Sequence, residues 1–225
     1  MCGRFTLTDP DPRLLRLRFG LSESAEIDQE ARYNVAPTDP VLAVRANEHG
    51  EREPGKLRWG LIPNKADPDD FSRNLINARA ETIAKAAPFR ESFHERRCLV
   101  VADGFYEWKA TDTGKHPVWI TRPERELFAF AGIWASSRRE DDSTVHSCAI
   151  VTCQPGKVVA PVHDRMPVIL PQDGEDVWLD GDREAGDLLA LLQPTDDLVV
   201  TEVSERVNDV RFDSRELIKP PLRLF

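Results

Sequence analysis

A cysteine in second place, directly after the initiator methionine, is the first residue of this chain with a chemistry of its own. Removal of Met1, which a small neighbouring side chain makes easy, leaves Cys2 with a free α-amine and a thiol two carbons apart. Ordinary pKa values of about 8.5 for a thiol and about 7.7–8.0 for an α-amine put both groups partly in nucleophilic form near neutral pH. Such a 1,2-aminothiol can attack an acyl carbon as a thiolate, with its own amine as base. It can also trap an aldehyde: the amine forms a Schiff base and the thiol closes on the same carbon, giving a five-membered thiazolidine. The internal cysteines Cys98, Cys148 and Cys153 lack that pair of groups. The competing reading of Cys2 is a small, buried, inert residue.

Three further stretches carry polar residues suited to such chemistry. Asn77-Ala78-Arg79-Ala80-Glu81-Thr82 puts an Asn and an Arg at the mouth of an expected helix, where free backbone N–H groups favour an anion; solvated charges at a helix start are the alternative. Glu107 lies in a strand-like aromatic run, where strict alternation gives it the face of Phe105, opposite Tyr106 and Trp108. Half-buried there, its carboxyl has a raised pKa suited to passing protons; exposed on an outer face, it does nothing. Pro161-Val162-His163-Asp164-Arg165-Met166-Pro167 holds a histidine, an acid and an arginine between prolines, and histidine titrates nearest pH 7. A hydrogen-bonded structural histidine is the alternative there.

Taken in order, six segments resemble one family, the SOS response-associated peptidases (SRAP). They are Met1-Cys2-Gly3-Arg4-Phe5, Tyr33-Asn34-Val35-Ala36-Pro37-Thr38, Trp59-Gly60-Leu61-Ile62-Pro63, residues 77–82, Gly104-Phe105-Tyr106-Glu107-Trp108 and His163-Asp164-Arg165-Met166-Pro167. The resemblance runs from residue 2 to about residue 170 and is loose beyond Leu170. Asn64 and the Asp-rich loop after Pro63 depart from the pattern, where family members often carry another aromatic residue.

The resemblance implies a sensor of abasic sites in single-stranded DNA that crosslinks to the lesion covalently through Cys2, and an associated thiol autopeptidase activity that exposes Cys2. An abasic deoxyribose opens to an aldehyde, which is what an aminothiol traps. By position, Asn77 would orient the Cys2 amine, Glu107 would shuttle protons, and His163 would assist opening of the sugar ring. Arg4, Arg79 and Arg165 would contact phosphates, Trp59 and the residues after it would stack on or wedge bases, and Asn34 and Pro37 would also touch the DNA. No cofactor is implied, and a monomer is expected.

Two other readings compete. A hydrolase with an N-terminal nucleophile, such as a glutamine amidotransferase, also begins Met-Cys-Gly, but it has no use for Arg4 or for the Asn77, Glu107 and His163 motifs. A non-covalent single-strand binder would lose its DNA as salt rises, whereas a thiazolidine adduct survives.

The elements that must position these residues read mostly as strands. A strand is expected over 3–8, then a helix capped by Asp11 with Pro12 in first place and Gly20 as stop. Strands follow at 41–44 and 56–61, a long loop at 62–74, a helix over 78–87 ended by Pro88, and a short helix within 88–97. Further strands are expected at 99–102, 105–108, 118–120, 127–134, 145–152 and 168–170, with a hairpin turn at 111–114, a helix at 184–192 and a closing strand at 198–203. Strands outnumber helices without regular alternation, which predicts an α+β single domain over 1–225: a curled, mostly antiparallel, barrel-like sheet flanked by short helices.

Composition sets the outer bounds. At 225 residues with 40% hydrophobic side chains, the chain can bury a sizeable core, and no apolar run approaches the roughly 20 residues of a membrane span. A cytoplasmic protein is expected, at the nucleoid when bound to damaged DNA. Net charge −9 argues against non-specific coating of nucleic acid, so any DNA site must be a local basic groove. Arginines far outnumber lysines on this acidic chain, which suggests a surface adapted to high salt. Four sparse cysteines make no disulfide framework, and His146, Cys148 and Cys153 fit no zinc spacing, so no metal is expected.

Overall fold

A computed structural model of the chain describes residues 2–63, 66 and 75–220. The loop expected over 62–74, Asn64 included, lies largely outside them. The chain starts with β1 (Phe5–Leu7), all three of its side chains buried, and enters α1 (Pro12–Phe19). Asp11 caps α1 by accepting the Arg13 N–H at 2.7 Å, and Gly20 ends it in the left-handed region at φ 60°. There follow β2 (Arg32–Val35), the hairpin of β3 (Pro40–Ala46) and β4 (Arg52–Trp59), β5 (Asn77–Arg79) and α2 (Arg90–Glu95). Next come β6 (Arg97–Ala102), the hairpin of β7 (Gly104–Thr111) and β8 (Gly114–Thr121), the pair β9 (Phe128–Arg138) and β10 (Thr144–Cys153), and short β11 (Met166–Pro167). The chain closes with α3 (Glu175–Leu179), α4 (Ala185–Ala190) and β12 (Val199–Glu202).

Two sheets result. One has the order β12-β8-β7-β1-β2 and the other β11-β10-β4-β3-β6-β9. In the second, β10 also pairs with β9, while its parallel contact with β4 is limited to Ser147–Arg58 and Cys148–Trp59. The sheet therefore curls round on itself without forming a closed barrel. Aromatic side chains join the two sheets: Phe5 of β1 meets Trp59 at 5.1 Å and Phe130 at 5.7 Å, both edge to face. Phe105 of β7 meets the same Phe130 at 6.1 Å. This shared core holds β1, and Cys2 just before it, against the second sheet.

A second, smaller core lies on the other face of the first sheet. Tyr106 and Trp119 pack there against Val203, Val207, Leu217 and Ile218. The C-terminal stretch is thus part of the domain, covering a sheet face that would otherwise be exposed.

Two expectations fail. Residues 78–87 do not form a helix: Asn77–Arg79 is a strand parallel to β10, in register Ile150–Asn77 and Thr152–Arg79, and beyond Arg79 the chain runs in separate turns until α2. Helix-forming composition loses to pairing with a buried strand, and the helix mouth expected around Asn77 and Arg79 does not exist. The strand expected at 168–170 shrinks to a single bridge between Phe130 and Ile169, and α3 was not foreseen.

Candidate active site

Cys2 sits just before β1, fully buried, with its Sγ 3.8 Å from the Arg4 carbonyl. β7 lies beside β1 in antiparallel register, Phe5 opposite Phe105 and Thr6 opposite Gly104. Alternation holds along β7: Phe105 enters the main core, Tyr106 and Trp108 the smaller one, and Glu107 turns to the Phe105 side, where it is 2% exposed. Burial pushes its carboxyl up to about 7, and the Asp164 carboxylate adds to the effect. Glu107 can therefore take up or release a proton near neutral pH.

The same burial acts on Cys2. Desolvation, reinforced by the Glu107 carboxylate, pushes its thiol well above the ordinary range. Burial thus works against the partial ionisation expected of a free thiol near neutral pH, and a base is needed to form the thiolate. Glu107 is the adjacent candidate.

Asn77 reaches the site from the curled sheet. Its Nδ2 donates to the Cys2 carbonyl at 2.8 Å, while its Oδ1 is shielded from solvent and accepts no hydrogen bond among the described residues. An acceptor thus waits beside the Cys2 backbone.

His163 comes from the loop before β11. Its Nε2 faces Glu107 Oε2 at 4.0 Å. On the other side of the ring, Nδ1 accepts the Arg165 N–H at 3.0 Å and lies 2.9 Å from Asp164 Oδ1. The backbone bond selects the neutral tautomer with its proton on Nε2, towards Glu107, whereas the Asp164 contact suits the imidazolium. Burial tips the balance by lowering the His163 pKa. Arg165 anchors this loop: its guanidinium forks onto Glu81 at 2.6 and 3.0 Å and donates to the Thr152 carbonyl at 2.7 Å.

Four side chains from four distant segments thus converge where the sequence placed its catalytic candidates. Residues 1–210 match the family model described as SOS response associated peptidase (SRAP). The chain belongs to the SRAP family. It is 38% identical to the abasic site processing protein YoqW of Bacillus subtilis (strain 168) over 224 residues, 97% of this chain and 99% of that one. It is 30% identical to the abasic site processing protein YedK of Escherichia coli (strain K12) over 228 residues, 98% and 100% of the two chains. A solved structure of a protein from Bacteroides thetaiotaomicron has the same fold, with a TM-score of 0.84 at 21% identity, and covers 98% of this chain and 100% of that one. The SRAP match runs well past Leu170, in keeping with the packing of the C-terminal stretch on β7 and β8.

The SRAP residues expected to touch DNA divide into two groups. Arg79 is exposed and stands two residues after Asn77 on β5, so its side chain shares the Asn77 face; Pro37 is half-buried at a turn. Arg4 is half-buried, and its Nη1 donates to Asn34 Oδ1 at 3.0 Å and the Val207 carbonyl at 2.8 Å. The others are interior. Asn34 is fully buried and donates to the carbonyls of Val207, Asp209 and Phe212, which pins the C-terminal stretch. Trp59 is fully buried with its indole N–H on the Ile76 carbonyl at 3.0 Å, so it has no free face for a base. Arg165 is buried in its ion pair with Glu81.

Size alone does not mark the site. Two surface hollows of about 1020 and 1010 Å³ lie along α1 and are lined by none of Cys2, Asn77, Glu107 and His163. Among the described residues, no group of three His, Cys, Asp or Glu side chains could hold a metal ion, and no helix is long and apolar enough to cross a membrane.

Proposed function

We propose that this SRAP protein processes abasic sites in single-stranded DNA by forming a covalent adduct through Cys2 after Met1 has been removed. The observation that carries this reading is the meeting of a potential aminothiol with a carboxyl poised near pH 7 and a histidine at 4.0 Å from it. The relatives' names, abasic site processing proteins, point to the same substrate.

The chemistry balances. The ring-opened sugar presents its C1′ aldehyde, and His163 exchanges a proton with the ring oxygen as it opens. The Cys2 amine adds to C1′ and a C–N bond forms. Neutral Glu107 then donates a proton to the departing hydroxyl, which leaves as water and gives the Schiff base. Ionised Glu107 takes the thiol proton, Sγ adds to the same carbon, and the C=N electron pair returns to nitrogen. One water is lost and a thiazolidine remains. Asn77 Oδ1 accepts an N–H of the Cys2 amine and aims its lone pair at C1′. Exposed Arg79 and half-buried Arg4 contact the neighbouring phosphates, which suits a net-acidic protein with a local basic groove. Removal of Met1 is hydrolysis of the Met1–Cys2 peptide bond, a step that the word peptidase in the family's description fits.

The test is incubation with a single-stranded oligonucleotide containing one abasic site, followed by a denaturing gel and intact mass. The expected product has the mass of the chain without Met1, plus DNA, less one water. A chain shown to begin at Cys2 that gives no covalent band, and whose DNA binding vanishes as salt rises, would be a non-covalent binder instead.

A further inference from the structure

We infer that Asp103 is a positioning residue for the proposed crosslinking, clamping β1 to the start of β7 so that Cys2 meets Glu107. The inference rests on the reading of Cys2 given above. In sequence, Asp103-Gly104 between two apolar runs looks like an ordinary turn. In the fold, Asp103 is 2% exposed and its whole carboxylate is turned to the strand that follows Cys2.

Oδ1 accepts the Thr6 hydroxyl at 2.6 Å, and Oδ2 accepts both the Thr8 N–H and the Thr8 hydroxyl at 2.6 Å. The Asp103 N–H donates to the Thr6 carbonyl at 3.0 Å. These charge-assisted bonds grip a strand whose register with β7 comprises only Phe5–Phe105 and Thr6–Gly104. Trp119 closes the clamp from the other side: its Nε1 donates to Thr6 Oγ1 at 3.1 Å. Gly104 lies so close under that indole that a Cβ there would stand 2.3 Å from Nε1. Thr6 is therefore fixed by a carboxylate on one side and an indole N–H on the other.

The consequence reaches the site along the strand. The Arg4 carbonyl accepts the Tyr106 N–H at 3.0 Å, which continues the register by one more pair. Cys2 stands two residues before Arg4 and Glu107 one residue after Tyr106, so this bond is the last tie between the two strands before the site. The amine and Sγ of Cys2 are thus carried on the end of a short strand whose translation Asp103 sets. A misplacement of about 1 Å between reacting groups costs on the order of 100-fold in rate. An amide is a poorer substitute: its oxygen can serve Thr8, but its NH₂ cannot accept the Thr6 hydroxyl, which must turn to the Gly104 carbonyl at 3.2 Å, and the charge that strengthens all three bonds is lost.

The test compares Asp103→Asn, Thr6→Val and Thr6→Ser with wild type. Two quantities are read: the first-order crosslinking rate at saturating abasic oligonucleotide, per folded molecule, and the Kd for the same oligonucleotide carrying tetrahydrofuran, which has no aldehyde. Asp103→Asn and Thr6→Val are expected to crosslink about 10 to 100 times more slowly with Kd changed by about twofold or less, and Thr6→Ser, which keeps the hydroxyl, to recover most of the rate. Folded variants that crosslink at the wild-type rate overturn the inference. So does a rate that falls only in proportion to DNA affinity, or equal losses in Thr6→Ser and Thr6→Val. Should Asp103→Asn fail to fold, the Thr6 pair decides alone. A wild-type chain that forms no adduct overturns the proposed function and this inference with it; a wild-type adduct with unaffected variants sinks only the positioning role.

Discussion

Two glutamates of this protein are buried almost equally and are surrounded quite differently. Glu175 opens α3 at 0% exposure and receives two guanidinium groups: Arg18 at 2.6 and 3.1 Å, and Arg52 at 3.2 Å. The second arm of Arg52 reaches Asp176 at 2.7 Å, so the cluster ties α1, β4 and α3 together. Glu107, at 2% exposure, faces a histidine that burial keeps towards its neutral form. Permanent cations fix the first carboxylate as a structural joint, whereas at the second, desolvation dominates and raises the pKa to about 7. Burial does not distinguish a carboxylate that holds elements together from one that titrates near neutral pH; the partner does.

The comparison can be broken most decisively at the site itself. Cys2→Ser removes the thiol that closes the ring, and the denaturing gel is expected to lose the stable adduct completely while salt-sensitive DNA binding remains. Glu107→Gln is expected to slow crosslinking by about 10²- to 10⁴-fold, the usual worth of a general acid–base group.

Glu107→Gln also has a stability signature. The folded carboxyl titrates near 7, above its ordinary 4.5. Between those values the folded chain holds a proton that the unfolded chain has released, so stability falls as pH rises from 4.5 to 7 and stays reduced above it. The amide is neutral throughout. It should therefore stabilise the fold at pH 8 by about 1–3 kcal/mol and give no gain at pH 4, as measured by denaturant titration at both pH values.

Glu175→Gln is expected to move stability the other way. Leaving Arg18 and Arg52 without their shared anion should cost about 3 kcal/mol, a fall in Tm of roughly 6–12 °C, with the crosslinking rate of the folded fraction unchanged. Equal responses at the two glutamates would abolish the distinction. The smallest effect is expected at Thr38, the third residue of the Ala36-Pro37-Thr38-Asp39 turn, where φ is 81° and the Asp39 N–H closes onto the Ala36 carbonyl at 3.1 Å. A β-branched residue is strained there, and Thr38→Gly should raise stability by about 1 kcal/mol in the same titration, showing that strain near the site is separable from its buried carboxyl.

Much of the architecture is legible in the sequence. The cap, first proline and terminal glycine of α1 are local signals and held to the residue. The β7–β8 hairpin turns where its sequence says, between Thr111 and Gly114. The expected helix at 78–87 failed because Asn77–Arg79 is drawn alongside β10, and no local signal in the segment announces a partner some seventy residues away. Asn34 and Trp59 were legible as motif members but not as interior residues, since the carbonyls they serve belong to other parts of the chain.

The sequence by itself determined which groups are on offer: a cysteine in second place, an Asn, a Glu and a His in ordered motifs, and strands enough for a curled sheet. These are properties of residue types and short-range spacing. Only the tertiary structure decided their surroundings and, through them, their protonation. Desolvation depends on what packs over a side chain, so the suppressed Cys2 thiol, the Glu107 carboxyl at about 7 and the gap of 4.0 Å to His163 exist only once β1, β5, β7 and the loop before β11 have come together.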